Sequence, residues 1–428
     1  MQAGSFPAPG ASLHLDFVNN QGFSAGQTGT ATSFLTFTNA STQNYIDASG
    51  NLVSASANSP VREFSRSSIG TILGLRVQKQ RTNSIRNNTM AGAVAGTPGT
   101  VPTNWFITGS GSGLTRTLST PGQVNGIECL GVRFAGTAST TSSFILPDGS
   151  TSVIAVTPGE TWSASVFCAL SAGSTANINA LALRLSWFDS SQVTTGTPAS
   201  ANITLTGSLA QTVVTGVAPA NAAFVRPEIR VGFSNGAVLD YTILVGLPQC
   251  EKGSGATSPI KTSGSAVTRA GDVVALTDFA SIFNQWGGTV VSEWVYGTDT
   301  STAGVWIVSD GTASNAIRGA LYNGAGANVS DVLVSGSSPG GASVATQNTA
   351  ATTYRHAVEY DRTILAASGS GAAQDQVLTP SMPASLSAMY LGCGSGNGAV
   401  TNNLDGWLRQ LIYFPRAARP YQLPGLSR

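Results

Sequence analysis

Charge is scarce in this chain. Only 10 % of its 428 residues are Asp, Glu, Lys or Arg, against roughly 25 % in an ordinary globular domain. Basic and acidic residues nearly cancel, 21 against 20, leaving a net charge of +1. That balance excludes the strong positive field that gathers nucleic acid or an anionic membrane surface. Cysteine is scarce as well. Cys129, Cys168, Cys250 and Cys393 lie far apart and make no CxxC pair, which argues against redox and zinc motifs. Cys168, in "TWSASVFCAL", reads as a small hydrophobe packed in a strand, and free buried thiols suit folding in a reducing cytoplasm. The two histidines, His14 and His356, sit in separate strand patterns and are expected in different domains. No apolar run reaches the ~18–20 residues of a membrane span. The opening "MQAGSFPAPGASLHLDF" has neither the basic start nor the apolar core of a signal peptide. No GxSxG elbow, HExxH helix or P-loop occurs, and the Gly-rich stretches lack a strand–GxGxxG–helix setting.

In place of charge the chain carries small and hydroxylated residues, 50 glycines among them, together with 41 % hydrophobics. Gly, Ser, Thr and Asn are poor helix formers and suit strands joined by turns. Period-two alternation recurs. Leu181, Leu183, Leu185 and Trp187 share one face of "LALRLSWF", and Leu239, Tyr241, Ile243, Val245 and Leu247 share one face of "VLDYTILVGL". In "EIRVGF", Ile229, Val231 and Phe233 oppose Glu228 and Arg230; in "YRHAVEYD", Tyr354, His356, Val358 and Tyr360 oppose Arg355, Glu359 and Asp361. Each pattern predicts a strand with one buried face. Turn clusters such as "DASGN", "PDGS" and "SDGTASN" separate them. The fold class is therefore all-β, with tandem β-sandwiches. Featureless Gly/Pro-rich stretches around 87–104 and 251–272 predict an N-terminal module over 1–88, a sandwich over 89–255, a linker over 256–271 and a second sandwich over 272–428. Near the C-terminus, "LDGWLRQLIYFPRA" predicts a strand started by Asp405-Gly406 and stopped by Pro415. Alternation places Leu408, Gln410, Ile412 and Phe414 on one side and Trp407, Arg409, Leu411 and Tyr413 on the other. Both sides are largely apolar, as in a strand covered on both faces.

"SFLTFTNASTQNYIDASGNLVSASANSPVREF", followed by "GLRVQKQRTNSI", resembles the N-terminal module of tailed-bacteriophage and prophage structural proteins. Those carry "FTRAS", a D-x-x-G turn, "A-N-x-P-R-F" and "E-x-R-T-N" in that order. Here Asn39 stands where the family has Arg, and Val61 is inserted before the Arg-Phe element. "AGTPGTVPTNWFITGSGSGLTRTL", "VNGIECLGVRFAGT" and "GLPQCEKGSGATSPIKTSGSAVTRAGDVV" resemble jelly-roll modules of the carbohydrate-binding type. "GVWIVSDG" and "LDGWLRQLIYFPRA" resemble the concanavalin A-like, or laminin G-like, sandwich. The resemblance implies a head spike, tail fibre or decoration protein of a tailed phage or gene transfer agent. It implies localisation on the virion, attachment to other virion proteins through the N-terminal module, and adsorption to host cell-surface glycan. A homo-oligomer is expected, a trimer first and a vertex pentamer as the alternative, with no nucleic acid partner and no membrane insertion.

Sugar binding needs an aromatic face and nearby hydrogen-bonding side chains. Trp286 in "FNQWGGT", with Asn284 and Gln285 beside it, has that pattern. Trp306 and Tyr322 bracket the "SDGTASN" turn, and Trp105 follows a Pro/Gly stretch; packing is the competing role for all three. Trp162, Trp187 and Trp407 read as core. Calcium, often bound by sandwich modules of these types, would require several oxygen ligands. Asp310 and Asn315 in one turn, with Asn403 and Asp405 in "TNNLDG", are the candidates, and turn formation explains them equally. Cleavage of a glycan would require two carboxylates flanking one bond. Asp310, Asp331, Glu293, Glu359 and Asp361 are available, but Glu359 and Asp361 read as a solvated strand face, and no β-helical repeat is visible. The expectation is a binding protein rather than an enzyme, with an unliganded architectural protein and a capsule depolymerase as alternatives.

Overall fold

The computed structural model describes residues 5–108, 112–151, 153–297, 303–322, 328–338, 341–344, 351–372, 375–378, 382–395 and 403–428. Almost every element is a strand, and the described residues include a single short α-helix, Leu423–Leu426. The chain divides into two compact units. One comprises Met1–Gly50, Ser54–Gln80 and Ala270–Arg428; the other comprises Asn51–Val53 and Arg81–Arg269. The second is thus inserted in sequence between the two halves of the first. This differs from the three-part division expected from composition. The N-terminal segments Met1–Gly50 and Ser54–Gln80 share a fold with Ala270–Arg428 rather than forming a module of their own.

In the discontinuous unit, strand Gly406–Phe414 is the reason. It pairs with Gly287–Tyr296 on one side. On its other side it pairs with Leu13–Asp16 (Leu13 opposite Tyr413, Leu15 opposite Leu411) and with Ile72–Val77 (Trp407 opposite Arg76). In the facing sheet, Leu35–Thr38 pairs with Val273–Leu276. Leu13, Leu15, Phe17, Phe37, Leu75 and Val77 then enter one core with Trp294, Tyr296, Trp306, Tyr360 and Tyr413. Alternating apolar residues on strands of both sheets make a sandwich of this kind.

The closing strand departs from simple alternation. Gln410 lies opposite Glu293 while Leu408 lies opposite Trp294, so Arg409 is the extra residue of a β-bulge. Its carbonyl accepts from Phe17 N–H at 2.9 Å, and its Nε donates to Glu293 Oε1 at 2.7 Å. The bulge turns Leu408 to the side of Leu411 and Tyr413, away from Ile412 and Phe414. Trp407 is half-buried, donating to Glu63 Oε2 at 2.8 Å with Arg76 over its ring at 4.5 Å. Ile412 and Phe414 pack on the outer face with Ala357 and Ala366, under Ala418, Leu423 and Leu426. His14 and His356, expected in different domains, belong to this same sheet.

The inserted unit is a two-sheet sandwich. One sheet runs in the order Phe106–Ile107, Ser142–Leu146, Phe224–Phe233, Ile178–Phe188, Ala199–Asn202; the other runs Leu114–Leu118, Ile127–Thr137, Val238–Lys252, Thr161–Ser174, Ala210–Val217. Leu183, Leu185, Trp187, Ile229, Val231, Phe233, Tyr241, Ile243 and Val245 fill the space between them, as their alternation predicts. All four cysteines are unpaired and buried. Burial pushes the Cys168 thiol up to about 12, which makes it an inert packing group.

Candidate functional site

Trp286 ends the segment that leads into strand Gly287–Tyr296. A 3₁₀ turn at Phe279–Ser281 anchors this segment through buried Phe279. Asn284 then fixes it three ways. Its N–H donates to Tyr413 Oη at 2.8 Å, its Nδ2 to Pro415 O at 2.9 Å, and its Oδ1 accepts from Trp286 N–H at 3.1 Å. Tyr360 Oη donates to the Asn284 carbonyl at 3.0 Å. Gly288 is required here, because a Cβ would fall 2.4 Å from the Tyr360 hydroxyl. Gln285 Nε2 donates to Pro383 O at 2.8 Å. Asn284 therefore holds the platform instead of facing a ligand, and Gln285 braces it.

The indole stands 54 % exposed. The Arg362 guanidinium carbon lies 4.4 Å from its ring centroid, a cation–π contact that orients the ring and sets the guanidinium over one of its faces. Arg362 projects from the turn between Thr353–Asp361 and Ile364–Gly369. There Asp361 Oδ1 accepts from Thr363 N–H at 2.7 Å and Ile364 N–H at 2.8 Å. Arg362 was not legible from spacing, since it lies far from Trp286 along the chain; only the pairing of Gly287 with Asp361 joins them.

The other aromatic candidates are placed elsewhere. Trp306 is 1 % exposed in the core, flat on Gly319, where a Cβ would fall 1.9 Å from the indole. Trp105 is 5 % exposed and donates to Asn87 O at 2.6 Å. Both are packing residues, which corrects their candidacy as platforms. Tyr322 ends strand Ala316–Tyr322, and its side chain lies outside the described residues. The inserted unit has an exposed aromatic of its own, Phe106, at a cleft of about 580 Å³. The Arg116 guanidinium in that cleft is occupied by the Pro98, Gly99 and Ile107 carbonyls at 3.1, 3.3 and 3.1 Å.

The calcium candidates fall into two pairs with separate partners. Asp310 accepts from Thr312 N–H at 2.9 Å and from Asn315 Nδ2 at 2.8 Å, and Asn315 Oδ1 accepts from Ser335 N–H at 3.0 Å. These bonds close a turn and hold the Asp310 carboxyl below its ordinary range. Asn403 donates to Gln78 O at 3.2 Å and Asp272 O at 2.7 Å. Asp405 faces the Arg76 guanidinium at 3.4 Å, so the positive charge beside it is already supplied. Among the described residues no three His, Cys, Asp or Glu side chains converge as a metal site. Neither pair offers the six to eight oxygens that calcium takes.

The acidic residues weighed for catalysis are engaged in structure. Asp331 forms a two-pronged pair with Arg318, and Glu293 pairs with Arg409. Glu359, expected on a solvated face, is 2 % exposed. Its cross-strand neighbours are Thr289 and Ala366, and the C-terminal segment packs on this face. Burial, with a smaller contribution from the Asp361 charge, pushes its carboxyl up to about 7.

No protein-family model and no curated protein sequence matches the chain. Among solved structures it is similar to the CBM40 of Ruminococcus gnavus IT-sialidase, at 12 % identity over 35 % of this chain and 86 % of that one, with a TM-score of 0.30. It is also similar to domains LG4-5 of the mouse laminin alpha1 chain, at 12 % identity, 70 % and 95 % coverage and a TM-score of 0.24. A third likeness is to the enzymatically active domain of bacteriophage CBA120 tailspike protein 4, at 12 % identity, 35 % and 19 % coverage and a TM-score of 0.25. At these TM-scores the likenesses assign neither a family nor a ligand to this chain.

Proposed function

We propose that the protein is a non-enzymatic structural component of a phage or gene-transfer-agent particle, a head spike, fibre or decoration protein, and that it binds host surface polysaccharide at Trp286. The supporting observation is the division of labour among the seven tryptophans. Trp105, Trp162, Trp187, Trp294 and Trp306 are buried and Trp407 is half-buried, whereas Trp286 is exposed, braced from beneath and stacked with Arg362. A fixed indole, with Arg362 over one face, offers its other face to the C–H side of a sugar and loses little entropy on binding. Binding is favoured over cleavage because the available carboxylates are consumed by ion pairs, turns or burial. Attachment to the particle is assigned to the N-terminal part of the discontinuous unit, where Gln27–Gly29 forms an exposed edge strand of the kind that accepts a partner strand. Assembly as a homo-oligomer, a trimer first, multiplies a modest single-site affinity.

Binding of the purified oligomer to host cells and to an array of their polysaccharides tests this reading. Trp286→Ala is expected to weaken binding about tenfold or more, the loss of about 1.4 kcal/mol, with the melting temperature little changed. Absence of binding by the wild-type oligomer would leave an architectural decoration protein. Release of reducing ends from capsule would make it a depolymerase.

A further inference from the structure

The outer face of the Phe106–Ile107, Ser142–Leu146, Phe224–Phe233, Ile178–Phe188, Ala199–Asn202 sheet carries a second constellation. Strand register sets Phe144, Arg230, Ala182 and Asn202 in one row across four strands. Ile178 pairs with Phe233 and Ala180 with Gly232, so Asn179 is the extra residue of a β-bulge. Bulges re-aim side chains, and this one brings Asn179 over the outer face. A Cβ at Gly232 would lie 3.0 Å from Asn179 Oδ1, 3.0 Å from Ala180 Cβ and 3.5 Å from Arg230 Nη1. Gly232, Ala180 and Ala182 thus make a low floor, with Arg230 and Asn179 at one side and Asn202 across it. Asn179, Ala180 and Asn202 also border an adjacent open cleft of about 480 Å³, which Arg230, Gly232 and Phe144 do not line.

The charges on this face are unequally matched. Arg184 and Arg226 share the buried Glu228, at 3.5 and 3.2 Å, and Ser186 Oγ donates to the same carboxylate at 2.8 Å. The Arg230 guanidinium makes no ion pair or hydrogen bond among the described residues, and neither does the Asn179 or the Asn202 side chain. One unspent guanidinium therefore stands between an aromatic ring and two unspent amides.

We propose that this face is a second saccharide site, specific for a sugar that bears a carboxylate. Arg230 takes the carboxylate through its planar fork. Asn179 and Asn202 take neighbouring hydroxyls, and Phe144 covers the apolar edge of the ring. The small floor lets the ring approach the sheet. A polyanion such as nucleic acid needs a row of free cations, whereas two of the three arginines here are tied to Glu228. The proposal rests on the glycan-binding reading for its class of ligand, and its residues are distinct from Trp286.

Calorimetric titration of the full chain tests it, with a panel of uronic- and sialic-acid oligosaccharides and their neutral methyl esters as probes. The expected result is that at least one acid binds about tenfold or more tightly than its ester. Arg230→Gln removes that difference, Arg230→Lys restores part of it, and Gly232→Val abolishes binding of acid and ester together. Unchanged near-UV circular dichroism confirms that each variant is folded. Trp286→Ala leaves the acid–ester difference intact, so failure of the Trp286 reading and failure of this one are told apart. Equal binding of acid and ester, an acid preference that survives Arg230→Gln, no binding by any member of the panel, or equal competition by inorganic phosphate or a short oligodeoxynucleotide each overturns the proposal.

Discussion

Glu359 shows how burial decides what a carboxyl can do. Its ordinary value of 4.5 describes the unfolded chain, and in the fold it rises to about 7 because water is excluded and Asp361 is near. Between those values the folded protein holds a proton that the unfolded chain has released. Its contribution to stability is therefore undiminished below about pH 4.5 and is lost progressively as pH rises through 7. Glu359→Gln removes the titration. The variant is expected to match the wild type at pH 4.5 and to exceed it at pH 8 by on the order of 1–3 kcal/mol, read from urea unfolding at the two values. An unchanged difference at both would show a solvated carboxylate. The sequence showed only an acidic residue on the polar side of an alternating strand. What covers that side is the C-terminal segment around Ala418, Leu423 and Leu426, far along the chain, and alternation carries no information about it. The same holds for Trp306, whose neighbour Gly319 lies across a hairpin. A tryptophan beside a turn was legible, but the missing side chain that lets it lie in the core was not.

At the scale of an element, the closing strand Gly406–Phe414 joins the two parts of its unit. Its strand character and its two apolar sides were evident from alternation. The Arg409 bulge was not, because one extra residue changes the side to which Leu408 points without altering composition. Asn179 is a similar case: "NINALALRLSWF" reads as a regular strand, yet a bulge aims that asparagine at the outer face. Bulges depend on the partner strand, so a single strand does not reveal them. A chain ending at Asn402 lacks Leu408, Leu411 and Tyr413 from the core and takes one pairing partner from each of three strands. Scanning calorimetry of that truncation is expected to retain the transition of the inserted unit and to lose that of the discontinuous one. Persistence of both would refute the central role given to this strand.

For the molecule as a whole, the two Gly/Pro-rich stretches around 87–104 and 251–272 do not by themselves say how the segments beside them fold. Both stretches are rich in Gly, Pro and Ser, but only strand pairing tells whether the segment before a break folds alone or returns to a distant sheet. Pairing between strands near opposite ends of a chain has no local signature. The energetic consequence is large. Leu13, Leu15, Phe17, Phe37, Leu75 and Val77 are each almost fully buried, and burying such side chains is worth roughly 1.5–3 kcal/mol apiece. Together that is on the order of 10 kcal/mol, comparable to the ~5–15 kcal/mol that holds a whole domain folded. A fragment spanning 272–428 therefore lacks both the strands and the apolar surface it needs, although it looks like a complete sandwich by length. A fragment spanning 81–269 keeps its core and the Arg81–Asn83 and Val267–Arg269 ribbon that brings its ends together. We expect the 81–269 fragment to be monodisperse and to melt cooperatively with dispersed amide resonances, and the 272–428 fragment to aggregate or show collapsed ones. Adding a 5–80 peptide in trans should recover a folded complex, detectable as a new cooperative transition when the two pieces are refolded together. A 272–428 fragment that melted cooperatively alone would mean that the N-terminal strands are an accessory to that sandwich rather than part of its core.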